Sequence, residues 1–200
     1  MEELKKEPVT ACLILSNILV FLLVEITGGS QDTMHMLKWG AAYGPAILEE
    51  GEYYRLFTCM FLHFGMAHLA NNMLVLLVIG QRLEPVAGKV GFLLIYLLGG
   101  LGGNLISLWF NIRSGSYAVS AGASGAVFAV VGAMLWAVLR NKGRVQDMTG
   151  KQMLVMAFFS IYFGFASEGV DNAAHLGGLL CGFVLCMFLY HPRNRRKIVP

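Results

Sequence analysis

Residues 121–134 read Ala121-Gly122-Ala123-Ser124-Gly125-Ala126-Val127-Phe128-Ala129-Val130-Val131-Gly132-Ala133-Met134. The stretch follows a polar segment, Asn111 to Ser120, and opens an apolar run that continues to Leu139. A run of this length and composition predicts a helix solvated by lipid. A serine stands at its mouth, flanked by glycine and alanine too small to cover the hydroxyl. Other polar residues in the apolar segments can be judged by whether they could serve that serine.

The rest of the chain has the same character. It is 56% hydrophobic and 14% charged, with mean hydropathy +0.63. A soluble domain carries about a quarter charged residues, so the excess apolar surface has to meet lipid. A span needs about 20 mostly apolar residues. Six runs qualify: 9–27, 64–81, 89–110, 122–140, 152–168 and 172–190. The expectation is an all-α membrane protein, one domain over 1–200, with no room for a separate soluble domain. Six spans place both termini on one side. Twelve of the fifteen Lys and Arg fall on that side, and only Lys38, Arg55 and Arg113 on the other. Positive residues stay in the cytoplasm, so both termini are expected inside.

Residues 28–62 form the longest connection, on the outer side. Trp39, Tyr43, Tyr53, Tyr54 and Phe57 predict a loop lying at the outer interface. A short inner turn is expected at 81–85, with Arg82 and Glu84 near the interface. Lys5 and Lys6 before the first run resemble a secretory n-region, but no small-x-small cleavage site follows, so the run reads as an uncleaved span. Cys12, Cys59, Cys181 and Cys186 read as small apolar residues, not a disulfide framework. Small residues recur in the third, fourth and sixth runs, and Ala174, Gly178 and Gly182 form a stripe. Such stripes let backbones approach closely, so the fourth and sixth spans are expected to pack together. The fifth span is expected to be the least tightly held.

Polar residues inside a membrane are costly and face cavities or partners. Ser124, His68 and His175 lie on spans of one direction, and each is roughly 21–24 Å above the inner boundary at about 1.5 Å per residue. A serine needs a base to become a nucleophile, and histidine is the usual one. Ser124 and His175 supply that pair. His68 and Asn72 are four apart on one helix face and can donate to an oxyanion. The Ser124 backbone N–H, at a helix start, is a third donor. Asn71 points about 100° away from Asn72.

Each residue has a plainer reading. Gly-Ala-Ser-Gly alone is helix packing, and a lone membrane histidine bonds a neighbouring helix. Phe128, one turn below Ser124, reads first as core and otherwise as a ring packed on His175. Asp171, one turn before His175, reads first as a helix N-terminal carboxylate and otherwise as a third triad member. His63, His68 and His175 could bind zinc, but there is no His-Glu-x-x-His. The shared depth favours the joint reading, a serine protease within the membrane, with no metal and no cofactor.

At these residues the chain resembles the rhomboid family of intramembrane serine proteases, from Tyr54 through Leu189. His68-Leu69-Ala70-Asn71-Asn72 resembles the family's His-x-x-x-Asn. Gly122-Ala123-Ser124-Gly125 resembles its Gly-x-Ser-Gly, and Ala174-His175-Leu176-Gly177-Gly178 its Ala-His-x-x-Gly. Arg55 resembles the arginine of the first outer loop, although Tyr54 stands where tryptophan is common. Gly80-Gln81-Arg82-Leu83-Glu84 resembles the turn after the second span. The resemblance implies a six-helix rhomboid bundle and a Ser124–His175 dyad without a required acid. It implies oxyanion support from His68, Asn72 and Gly122, with Phe128 and Arg55 as supporting residues. It further implies an outward-open cavity gated by the fifth span. Substrates would be single-span membrane proteins cut near the outer face, in the plasma membrane of a bacterium. Partners are then the bilayer and membrane-protein substrates, and no nucleic acid. A catalytically weak relative acting as chaperone or adaptor is the alternative. A small transporter is a third, but the chain lacks an inverted repeat.

Overall fold

The computed structural model describes residues 7–156, 158 and 170–190. The described chain is nearly all helix: α1 (Pro8–Thr27), α2 (Thr33–Lys38), α3 (Gly44–Leu48), α4 (Arg55–Thr58), a 3-10 turn (Cys59–Phe61), α5 (Met66–Ala87), α6 (Lys89–Ser114) and α7 (Ser124–Arg140). A two-residue antiparallel hairpin, β1 (Arg144–Val145) with β2 (Met148–Thr149), follows. Residues 150–156 begin α8, and α9 (Asn172–Leu189) ends the described chain.

Five of the six apolar runs correspond to α1, α5, α6, α7 and α9. Among the described residues, α1, α6 and α9 are each long and apolar enough to cross a membrane. A fourth candidate is α5 joined to Arg55–Phe61 through a 90° bend, while α7 is shorter at 17 residues. Most of the fifth run, and with it the expected loose hold and gate, lies outside the described residues. In α1 only 28% of the most apolar window is buried, and Leu15, Leu19, Leu22 and Ile26 are exposed. Apolar surface of this extent needs a non-aqueous solvent.

Two expectations change. The inner turn at 81–85 is not a turn, because α5 stays helical through Pro85 to Ala87. Glu84, on that extra turn, is only 2% exposed. Its carboxylate accepts from Val9 N (3.1 Å), Thr10 N (2.8 Å) and Thr10 Oγ1 (2.8 Å). The first N–H groups of any helix lack intrahelical acceptors. The extra turn of α5 brings Glu84 to those of α1, where a negative charge also meets the positive end of the dipole.

The second change concerns 28–62, which carries α2, α3, α4 and the 3-10 turn. Asp32 caps α2 by accepting from Met34 N (2.8 Å) and His35 N (3.1 Å). These elements have at most six residues, too few for a helical period to show in sequence. A small core of Val24, Met36, Ala41 and Leu62, with Trp39, Val119 and Ala121 packed on it, joins the end of α1 to the residues before Ser124.

The main core surrounds α7, whose Ala126, Ala129, Val130, Ala133, Met134 and Ala137 have no exposed surface. The expected approach of the fourth and sixth spans is present as α7 against α9. A Cβ on Gly178 would lie 2.1 Å from Gly125 O, one on Gly182 1.9 Å from Ala129 O, and one on Gly132 2.0 Å from Leu179 O. The helix α6 joins them, since a Cβ on Gly103 would lie 2.7 Å from Ala174 O. Backbone is in contact with backbone, so no larger residue fits without moving a helix. The four cysteines are free thiols.

Gly182→Ala should therefore lower stability by about 1–3 kcal/mol, the usual cost of overpacking. Gly91→Ala, whose Cβ would meet Ala87 Cβ at an ordinary 3.8 Å, should be near neutral. Thermal unfolding of both variants in one detergent checks the contrast.

Candidate active site

Ser124 is the first residue of α7. The residues leading to it are held almost one by one. Ser120 and Ala42 pair through both backbone bonds, Ser120 N to Ala42 O at 2.9 Å and Ala42 N to Ser120 O at 2.8 Å. Gly122 N donates to Cys59 O at 2.9 Å, and Ala123 N donates to His63 Nε2 at 3.3 Å. The helix then starts, and its first N–H groups, beginning with that of Ser124, have no acceptor within the helix.

Ser124 lines a cavity of about 410 Å³ together with His68, Asn71, Asn104, Gly122 and Ala174. This is room for several water molecules. Gly122 keeps it open. A Cβ there would lie 2.9 Å from His68 Nε2 and 3.4 Å from Ser124 Oγ. The absent methyl thus marks a point that both the imidazole and the hydroxyl border.

His175 is the fourth residue of α9 and is 8% exposed. Its ring stacks on Phe128, with centroids 4.4 Å apart and planes 14° from parallel. Both readings of Phe128 hold, since it is 7% exposed and its ring packs on His175. Gly125 and Gly178 let α9 come down beside α7 at this level, so serine and histidine emerge from two touching helices. Among the described residues His175 Nδ1 has no hydrogen-bond partner.

Asn72 takes a different place from His68. It is 7% exposed, and its Nδ2 donates to His68 O at 3.1 Å, within α5. Asn71, set aside on helical phase, lines the cavity, and so does Asn104 of α6. Asn104 Nδ2 also donates to Leu56 O at 2.7 Å and lies 3.1 Å from Cys59 Sγ. Its signal in the sequence was a lone amide beside Gly102 and Gly103. His63, which the sequence offered only as a zinc ligand, instead accepts from a backbone N–H sixty residues away.

Asp171 caps α9, with Oδ1 accepting from Ala174 N at 2.9 Å. Oδ2 accepts from Ser107 Oγ at 2.6 Å and Ser120 Oγ at 2.9 Å. Arg55, 9% exposed, donates through Nη1 to Leu37 O (2.7 Å) and Ala41 O (3.0 Å) and pairs with Glu52. That hydrogen bond holds the Glu52 carboxyl below its ordinary value. Arg55 is a brace of the outer segment, away from the cavity. Among the described residues no three His, Cys, Asp or Glu side chains converge as a metal site, so the three-histidine zinc alternative gains no support.

The arrangement joins a hydroxyl, free helix N–H groups and an imidazole around one cavity, with a second imidazole packed behind. The Rhomboid domain model matches residues 50–192. The rhomboid protease GluP of Bacillus subtilis is 39% identical over 188 residues, 94% of this chain and 36% of that protein. RHOMBOID-like protein 1 of Arabidopsis thaliana is 40% identical over 164 residues, 81% of this chain and 41% of that protein. RHOMBOID-like protein 6, mitochondrial, of the same plant is 37% identical over 166 residues, 81% and 51% of the two chains. The chain spans between about a third and a half of the length of these relatives.

Gly122→Ala should crowd the point shared by His68 and Ser124. The expected result is at least roughly tenfold slower reaction of Ser124 with a fluorophosphonate, as for loss of an oxyanion donor. Mass-spectrometric labelling rates, with unfolding temperature as the control for folding, check it.

Proposed function

The chain belongs to the rhomboid family, and on that premise we propose that it is an intramembrane serine endopeptidase acting through Ser124 and His175. The observation that carries the reading is the close approach of α7 and α9. It sets the start of α7, with Ser124 beside a cavity, against the first turn of α9, which carries His175.

In this mechanism a substrate carbonyl enters the cavity. His175, as general base, takes the Ser124 proton, and Ser124 Oγ attacks the carbonyl carbon. The developing oxyanion meets the Ser124 N–H and the His68 side chain. Asn72 contributes by holding the His68 turn of α5, and Gly122 by leaving the space. His175 returns the proton to the leaving amine, and water from the cavity hydrolyses the acyl-enzyme. Phe128 keeps the imidazole plane fixed by stacking, and Arg55 holds the outer segment that anchors Ser120.

The substrates are single-span membrane proteins cut near the outer face. Residues 152–168 complete six spans of one membrane domain over 1–200, in a bacterial plasma membrane with both termini in the cytoplasm. The lysine and arginine asymmetry supports that orientation.

In proteoliposomes, the full chain should cleave a single-span substrate whose helix has been weakened near the outer face. Ser124→Ala and His175→Ala should each abolish cleavage, and a fluorophosphonate should label Ser124. Cleavage that survives Ser124→Ala, or labelling at another residue, would sink the dyad. Substrate binding by wild type without any cleavage would point to an adaptor.

A further inference from the structure

We infer that Asp171 is a positioning residue, whose carboxylate sets the first turn of α9, and with it His175, against the segment that delivers Ser124. The inference rests on the protease reading above.

The carboxylate sits where three elements meet. Oδ2 accepts from Ser107 of α6 at 2.6 Å and from Ser120 at 2.9 Å, and Oδ1 accepts from Ala174 N at 2.9 Å. The main-chain carbonyl of Asp171 accepts from His175 N at 3.1 Å. Ser107 is 4% exposed, so its hydroxyl needs a partner within the protein, and this carboxylate is the one it has. Ser120 is itself fixed by the backbone pair with Ala42 and stands four residues before the nucleophile. One side chain therefore links the base's helical turn to the strand-like segment that ends in Ser124.

The glycine contacts do not supply this link. They grip α9 from Ala174 onward, through Gly103, Gly125 and Gly178. Asp171 lies just before that contact, where α9 begins and its first N–H groups lack intrahelical acceptors. The bonds to Ser107 and Ser120 act at that level.

The same geometry separates this role from that of a triad acid. Such an acid accepts from the imidazole Nδ1–H. Of about four lone-pair sites on a carboxylate, three are engaged by Ser107, Ser120 and Ala174. Among the described residues His175 Nδ1 has no partner. Asp171 acts on the backbone around the histidine, not on its ring.

The test compares wild type, Asp171→Ala, Asp171→Asn and the double variant Ser107→Ala/Ser120→Ala, all as full chains in proteoliposomes. The readouts are kcat and KM for a single-span substrate, the rate of Ser124 labelling by a fluorophosphonate, and the unfolding temperature. Asp171→Ala and the double serine variant should lower kcat and labelling rate by roughly tenfold to a hundredfold, as expected for misplacing a base, with KM within about twofold. Asp171→Asn should recover most of the loss, because its amide oxygen can accept from Ala174 N and its NH2 can donate to the serine hydroxyls. The inference fails if Asp171→Asn is as impaired as Asp171→Ala while the serine variant stays at wild-type rates, which would mean the charge acts directly. It fails equally if KM alone changes, or if activity falls only in step with the folded fraction. Wild type labelled at Ser124, with all variants labelled as fast, overturns this inference alone. Wild type not labelled at Ser124 overturns the protease reading and this inference with it.

Discussion

The structure depends on one close approach, that of the α7 backbone to the α9 backbone. At Gly178 and Gly182 a Cβ would lie 2.1 Å and 1.9 Å from carbonyl oxygens of α7, so the helices touch with nothing between them. Lipid tails offer helices no hydrophobic reason to associate, and packing of small residues takes that role. Once these helices are in register, their upper ends are also in register. Ser124 is the first residue of one and His175 the fourth of the other, so both stand at the adjoining ends of two helices in direct contact.

Polar groups inside the apolar core hold this arrangement at two helix starts and midway along α1. Glu84 closes the start of α1, Asp171 closes the start of α9 on α6, and Asn17 of α1 donates to Tyr96 OH of α6 at 3.3 Å. Each satisfies groups that would otherwise be stranded away from water. They also constrain more than the apolar contacts do, since a hydrogen bond has one good geometry and a greasy surface has many. The polar outliers of the apolar segments thus divide into those that fasten helices and those left beside the cavity.

The outer segment completes the frame. Arg55 reaches back to two carbonyls of the chain before it, Ala42 pairs with Ser120, and Cys59 O receives Gly122 N. The nucleophile is presented by a strand-like piece anchored to this segment, and only then by its own helix. A helix end is a mobile place in general, and here several long-range bonds oppose that mobility. Ser124 and Gly125, whose N–H groups lack acceptors within α7, line the cavity, and a helix N-terminus favours negative charge.

From the sequence alone came the apolar helices α1, α5, α6, α7 and α9 and the pairing of the fourth and sixth runs. These follow from local composition and from the fixed rise of a helix. The sequence also placed Glu84 at an inner turn and Asp171 at a helix N-terminus, without saying what they bind. Only the tertiary structure decided that α5 continues through Pro85, that 28–62 is built of short helices, and that Phe128 lies flat on His175. It alone brought Asn71 and Asn104 to the cavity and turned Asn72 into its own helix. The reason is physical: helix length and amphipathicity are set by neighbours in the chain. Caps, ring stacking and cavity lining are instead set by groups tens of residues away, which meet only after the helices have packed.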